Sequence, residues 1–287
     1  MRRSERKKRI FVNIAAVFLM IYIILPFIWL FISSISPKVE LIATPPHWIP
    51  ENPSFTNYLK LLGLQEASLS TGEIPPFNTA MRKSIVVALS STGLSVLIGI
   101  FAAYAFARLE FRGKNAMLIS VIALRMLPEI ALVLPLYMIM QKLNMSDSKV
   151  FLTLVYMSFV LPFVIWILRS YFESIPVTLE EAALIDGANR WTIIWKIVFP
   201  LALPGIITTC IFCLLTCWDE FLFSLIFTTS YNAKTVTVAI SEFTTRHMID
   251  YGLMMAGGML ASLPPILFAL VLQKYVVNGL TEGSVKE

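Results

Sequence analysis

Glu181-Ala182-Ala183-Leu184-Ile185-Asp186-Gly187, with Ile197 and Pro200 further on, is a short, mildly polar helix–glycine–helix unit set between long apolar runs. Just before it, Thr178-Leu179-Glu180-Glu181 reads as a capping box, in which the Thr178 hydroxyl and the Glu181 carboxylate satisfy each other's orphan amides. Pro176 precedes the start, and Glu180 and Glu181 complement the positive end of the helix dipole. Ala182, Ala183 and Leu184 continue the helix, and Gly187 stops it, because glycine takes φ > 0 at the C′ position without steric cost. A second helix is expected from about Arg190 to Val198, ended by Pro200. Trp191, Ile194, Trp195 and Val198 are spaced to give that helix an apolar face. The result is two short helices at a sharp angle. The first is slim enough at Ala182 and Ala183 to enter a groove on a partner. From the residues alone, a plain connection that covers neighbouring helices is the alternative.

The surroundings of this elbow are those of a membrane protein. The chain is 57% hydrophobic and only 14% charged, with a mean hydropathy of +0.76, too apolar for a soluble domain of this length. Runs near 10–32, 84–107, 116–140, 150–168, 203–228 and 254–276 each reach the roughly 20 apolar residues that a spanning helix needs. Backbone groups cannot go unpaired in lipid, so these runs imply six helices. Arg2, Arg3, Arg6, Lys7, Lys8 and Arg9 precede the first run. That run is longer than a signal h-region and no small-x-small cleavage site follows, so it reads as a retained anchor. The basic cluster predicts N-in and, after six crossings, C-in. Arg108, Arg112 and Lys114, and then Arg169, Arg190 and Lys196 in the elbow, fall inside by the same count. The net charge of +5 is accounted for by this topology and implies no nucleic-acid partner.

The stretch from Ser33 to Lys83 is expected outside, broken by Pro37, Pro45, Pro46, Pro50, Pro53, Pro75 and Pro76. A short amphipathic piece at Phe55 to Leu62 is expected along the membrane surface. Pro26, Pro128, Pro135, Pro162, Pro264 and Pro265 punctuate the spans and suit a bundle that bends. Cys210, Cys213 and Cys217 share a face of the fifth run and read as small residues at a helix contact, with no metal site or disulfide framework implied. Arg125 and Glu129, four apart in the third run, are expected to face and neutralise each other. Asp219 and Glu220 in the fifth run need a partner or a water-filled path. Either these charged groups line a pathway for a polar solute, with Trp218, Phe221 and Phe223 stacking on it, or they hold the bundle together.

Glu181-Ala182-Ala183, then Gly187, then Ile197 and Pro200 at fixed spacing resemble the EAA signature of permease subunits of ABC importers, with Phe199 where leucine is usual. Arg125-Met126-Leu127-Pro128, Ile175-Pro176, Trp218-Asp219-Glu220-Phe221-Leu222 and the tail from Gly279 to Lys286 are similar to the carbohydrate-uptake branch, in particular the maltose-type second permease subunit. Asp219 stands where that branch often has Asn. The resemblance implies an all-α polytopic integral membrane protein with the type I ABC importer fold, six transmembrane helices and cytoplasmic coupling helices. It also implies that Glu181, Ala182, Ala183, Leu184, Asp186 and Gly187 dock on an ATPase. The implied partners are a homologous but distinct permease subunit, two cytoplasmic ATPases and an extracytoplasmic sugar-binding protein, in the inner membrane of a bacterium. Asn232, Lys234 and Arg246, in the external loop from Thr229 to Tyr251, are expected to meet the binding protein.

The organisation expected is a basic N-terminus (1–9), a first span (10–32), an external loop (33–83), a five-helix core (84–276) holding the cytoplasmic loop 169–202, and a cytoplasmic tail (277–287). The sequence contains no G-x-x-x-x-G-K-[ST] phosphate loop, so ATP and Mg²⁺ are expected on the partner ATPase and no cofactor on this chain. A secondary transporter driven by an ion gradient is the rival reading, recruiting Glu129, Asp219 and Glu220. A membrane enzyme is disfavoured, since His47 and His247 are isolated from any nucleophile or HExxH spacing.

Overall fold

The computed structural model describes residues 2–45, 47–65, 68–69, 72–73, 77–244 and 250–282. In chain order its helices are α1 (Arg2–Ile35), α2 (Lys38–Leu41), α3 (Thr56–Leu61), α4 (Phe77–Arg108), α5 (Lys114–Ala123), α6 (Glu129–Lys142) and α7 (Lys149–Ser174). Then follow α8 (Val177–Ile185), α9 (Arg190–Ile193), α10 (Phe199–Leu201), α11 (Leu203–Trp218), α12 (Leu222–Phe227), α13 (Val236–Ser241) and α14 (Tyr251–Glu282). A 3₁₀ turn, Leu124–Met126, follows α5, and a π turn, Ile194–Val198, joins α9 to α10. The strands among the described residues are a two-residue antiparallel pair, Ser68–Leu69 with Gly72–Glu73, in which Ser68 faces Glu73.

Among the described residues, four helices are long and apolar enough to cross a membrane: Lys7–Ile35, Phe77–Arg108, Lys149–Ser174 and Tyr251–Lys274. The other two expected spans are bent. The run expected at 116–140 is two segments at 95°, Lys114–Met126 and Glu129–Lys142. Pro128 holds the preceding Leu127 in extended backbone (ψ 128°) and so breaks the helix there. The run expected at 203–228 stops at Trp218, and α12 begins only at Leu222. Upstream, the segment Arg190–Leu201 meets Leu203–Trp218 at 78°. Pro26, Pro135, Pro162, Pro264 and Pro265 all lie inside continuing helices, so Pro128 marks the break and the other prolines do not. The basic N-terminal stretch continues α1, and α14 runs past residue 276 to Glu282.

The chain forms two compact units, residues 1–78 with 239–263, and residues 79–238 with 264–287. In the first, α3 is fastened to the last turn of α1. The Ser34 and Tyr58 hydroxyls lie 2.6 Å apart, and the Asn57 amide donates to the Ser34 carbonyl at 2.9 Å. The piece expected at the membrane surface is thus a helix held by α1. In the second unit α7 and α11 pack along each other, with Gly205 against the Tyr171 ring. Gly99 of α4 lies against Val164 of α7, and the Ser91 hydroxyl donates to the Thr153 carbonyl. Val164, Leu168, Phe172, Ile193, Val198, Phe223 and Phe227 are buried there.

Candidate functional site

The elbow folds as two short helices hinged at glycine, by caps other than those the sequence suggests. Pro176 is the N-cap of α8, in extended backbone and without a side-chain hydrogen bond. Helix entry two residues early puts Thr178 inside the first turn, so the capping box does not form. Glu181 is left exposed with Ala182, Leu184, Asp186 and Gly187, and Ala183 is half-buried. Ile185, at 87% exposure, projects from the same helix. Gly187 takes φ +83°. The Ala188 amide bonds the Ala183 carbonyl at 2.9 Å and the Gly187 amide that of Leu184 at 3.1 Å, the two bonds of a Schellman stop.

The second helix is capped by Asn189, whose side chain accepts from the Thr192 amide at 2.8 Å. Pro200 does not end it. The proline ring would clash with the carbonyl four residues back in an α-helix, and the wider π turn at Ile194–Val198 relieves this, so the helix runs on to Leu201. Ile193, Ile194 and Val198 form its buried side, while Trp191 is 62% exposed and stacks on Phe101 with ring centroids 5.4 Å apart.

Glu180, adjacent to the exposed Glu181, faces α4 and is buried. Both of its oxygens are held by α4: Arg108 Nε bonds Oε1, and the Tyr104 hydroxyl donates to Oε2 at 2.8 Å. The helix period carries the signal that could have found it, since successive glutamates at the start of a helix lie about 100° apart and face different surroundings.

The broken spans gather the charged residues differently from the sequence pairing. Arg125 and Glu129 fall on either side of the 95° bend and do not pair. Arg125 donates to the Phe159 carbonyl at 3.1 Å, and its guanidinium lies 5.5 Å from the Phe163 ring centroid. It lines a cavity of about 220 Å³ with Leu127, Pro135, Ser158 and Phe159. Glu129 instead lines a cavity of about 30 Å³ together with Glu220, Tyr156, Thr216 and Phe223. Glu220 accepts from the Phe223 and Ser224 amides at 2.7 and 3.2 Å, which restarts the helix as α12. Asp219 at the end of α11 is exposed, Phe221 is 39% exposed, and Trp218 and Phe223 are buried. Cys213 and Cys217 are buried and Cys210 half-buried, all as free thiols.

A second clamp fixes the segment after α12. Asp147, in left-handed backbone at φ +62°, accepts from the Thr229 amide at 2.6 Å and the Ser230 amide at 3.3 Å. Its own amide bonds the Phe227 carbonyl at 3.3 Å. Burial pushes the Asp147 carboxyl up, but the Thr229 and Ser230 donors outweigh it and hold it below the ordinary carboxylate range. The folded value lies below the unfolded one, so the clamp is whole above the unfolded value and is lost as pH falls through the folded one. Proteolysis of residues 229–235 is therefore expected to be constant above about pH 5 and to rise below about pH 4. A rise already at neutral pH would show that the clamp does not hold this segment. Asn232 is exposed here, whereas Lys234, expected as a surface contact, is buried with its ammonium 4.8 Å from the Tyr231 ring centroid. Arg246 and His247, like Pro46, Pro75, Pro76 and the tail beyond Glu282, lie outside the described residues.

A family model described as binding-protein-dependent transport system inner membrane component matches residues 95–282. The trehalose/maltose transport system permease protein MalG of Thermococcus litoralis is 35% identical over 285 residues, 99% of each chain. The trehalose transport system permease protein SugB of Mycobacterium tuberculosis is 35% identical, over 92% of this chain and 93% of that protein. The diacetylchitobiose uptake system permease protein DasC of Streptomyces coelicolor is 30% identical over 97% of each. A crystal structure of a bacterial ABC transporter involved in the import of the acidic polysaccharide alginate superposes with a TM-score of 0.73 at 23% identity, over 94% of this chain and 98% of that one, and bears on the fold. With bent apolar helices, an elbow hinged at Gly187 and full-length relatives of one kind, the chain belongs to the family of binding-protein-dependent transport system inner membrane components, the permease subunits of ABC importers.

Proposed function

We propose that this permease subunit imports a sugar or oligosaccharide, that it does so with a second, homologous permease subunit, and that the pair is driven by two ATPases, one of which docks on α8. The observation that carries the docking is the exposed face of α8, where Glu181, Ala182, Leu184, Ile185 and Asp186 lead into the Gly187 turn. Leu179, Leu184 and Ile185, all exposed on this firmly stopped helix, support an apolar surface that another protein covers. ATP and Mg²⁺ are held by the ATPases. The basic residues of the N-terminus and of the elbow support a cytoplasmic position for both, and by the same count an outer position for the segment with Asn232, where the solute-binding protein would deliver its ligand. The carbohydrate class is supported by the relatives, named for trehalose, maltose and diacetylchitobiose transport. The exposure of Asp219 and Phe221 at the break after α11 supports a role for them in hydrogen-bonding and stacking on a sugar ring, in a pathway to which Glu129, Glu220, Arg125 and Trp218 are also assigned.

The test is uptake of radiolabelled trehalose, maltose and diacetylchitobiose into proteoliposomes holding both permease subunits and the ATPases, with the solute-binding protein outside. Uptake of at least one sugar is expected, and only with ATP enclosed. Uptake that persists without the ATPases and follows an imposed ion gradient would instead establish the secondary-transporter reading.

A further inference from the structure

The buried Glu180 has no place in a surface for docking. It and Arg108 are a charged pair with side-chain exposures of 5% and 7%. Such pairs are weak sources of stability, since apolar residues of similar volume often replace them at no loss. What the pair does supply is direction. Arg108 bonds Glu180 through Nε and the Ile175 carbonyl through Nη2, at 2.6 Å, so one guanidinium grips α8 and the residue that ends α7. Tyr104 holds the other carboxylate oxygen. With both oxygens fixed, α8 cannot roll or lift without moving α4.

The same face of α4 also grips the second elbow helix. Phe101 lies at one-turn spacing before Tyr104. Its ring is stacked on Trp191 at 8° between planes and meets Trp195 edge-on, with centroids 6.1 Å apart. Phe101, Tyr104 and Arg108 fall at i, i+3 and i+7 and therefore form one stripe. From Arg108, the far end of that stripe, α4 runs without a proline back to Ser84, about 36 Å along the axis at 1.5 Å per residue. There the Ser84 hydroxyl accepts from the Val236 amide at 2.8 Å, in a buried bond. The neighbouring Thr237 hydroxyl donates to the Glu220 carbonyl at 2.9 Å, and Thr235 donates to Ser224 at 2.7 Å. One continuous helix thus holds the elbow at one end and, at the other, the segment that braces the break at Glu220.

We propose that Arg108, Tyr104 and Glu180 form a strut that carries movement of the elbow into α4 and, through Ser84, to the segment at Thr235–Thr237, making Glu180 a positioning residue for transport. This rests on the docking of ATPases at α8. Coupling between two sites requires an element that both of them bias, and α4 with its two sets of bonds is that element.

The test uses the assembled transporter in liposomes and needs no knowledge of the solute. Asn232→Cys is labelled with a membrane-impermeant maleimide, before and after ATP with vanadate, against a parent lacking the added cysteine. With the strut intact, the labelling rate is expected to change by about fivefold or more, the low end of usual coupling. Arg108→Met with Glu180→Leu keeps the packing and removes the directional bonds. It is expected to retain its ATPases while the nucleotide-dependent change falls below about 1.5-fold. A double variant that responds within twofold of the unaltered strut overturns the proposal. So does one that loses its ATPases or fails to insert, since the pair would then be a folding element. If the unaltered strut gives no response to ATP at all and the ATPases do not co-purify, the docking reading itself has failed.

Discussion

Gly187→Val is expected to insert normally and to lose at least about nine-tenths of ATP-driven uptake. Gly187 sits at φ +83°, and a Cβ built there meets nothing within 4 Å. Any effect is therefore one of backbone conformation, free of collisions. A β-branched residue in the left-handed region costs about 1–3 kcal/mol, and the chain escapes it by abandoning the turn. The two bonds that end α8, from the Ala188 and Gly187 amides, go with it. With every 1.4 kcal/mol worth about tenfold in an equilibrium, most molecules would present a frayed α8 to the ATPase. Gly187→Asn, which tolerates left-handed backbone, is expected to keep at least about half of the uptake. Proteoliposome transport together with ATPase retention on an affinity column reads both variants. Transport by Gly187→Val within twofold of the parent would show that this turn has no part in coupling.

Gly205→Val should damage the fold itself. A Cβ at this position would lie 2.3 Å from Tyr171 Cγ and within 2.6 Å of both Cδ atoms. A ring does not yield as the end of a flexible chain does, so α7 and α11 must separate. Overpacking of this kind costs about 3 kcal/mol, which corresponds to a fall of about 6–12 °C in the melting temperature of the detergent-solubilised chain. Gly93→Ala is the contrast: nothing lies within 4 Å of its Cβ, and a helix interior favours Ala, so the melting temperature should hold or rise slightly. An unchanged midpoint for Gly205→Val would mean that the two helices are not in contact as described.

Most of the elbow was legible because its chemistry is local. A pair of alanines followed by a glycine needs nothing distant to be read, and Gly187 stops α8 as expected. The capping box failed for an equally local reason, since Pro176 started the helix early and Thr178 came too late to cap it. Glu180 was missed because its partners are Arg108 and Tyr104, separated from it by more than seventy residues; the helix period turns it away from Glu181 but names no partner. Hydropathy likewise found where the apolar runs lie but not that two of them are bent. A window average does not register a single Leu127-Pro128 step or a Glu220 that caps its own continuation. The pairing of Arg125 with Glu129 assumed an unbroken helix and fell with it. Asp147, which clamps Thr229 and Ser230, carried no sequence signal beyond being an aspartate in a loop.

None of the most apolar window of α1 is buried within this chain, and the family match begins only at residue 95. Its last turn is the exception, tied by Ser34 to α3. A helix with no intramolecular cavity to fill places little demand on the shape of its side chains and much on their oiliness. Leu, Ile, Val and Phe are nearly interchangeable along Ile10–Ile28 as far as this chain is concerned. The first helix is therefore free to drift in sequence under a constraint of composition alone. Ser34, Asn57 and Tyr58, where that helix is fastened, are bound instead by the geometry of their hydrogen bonds.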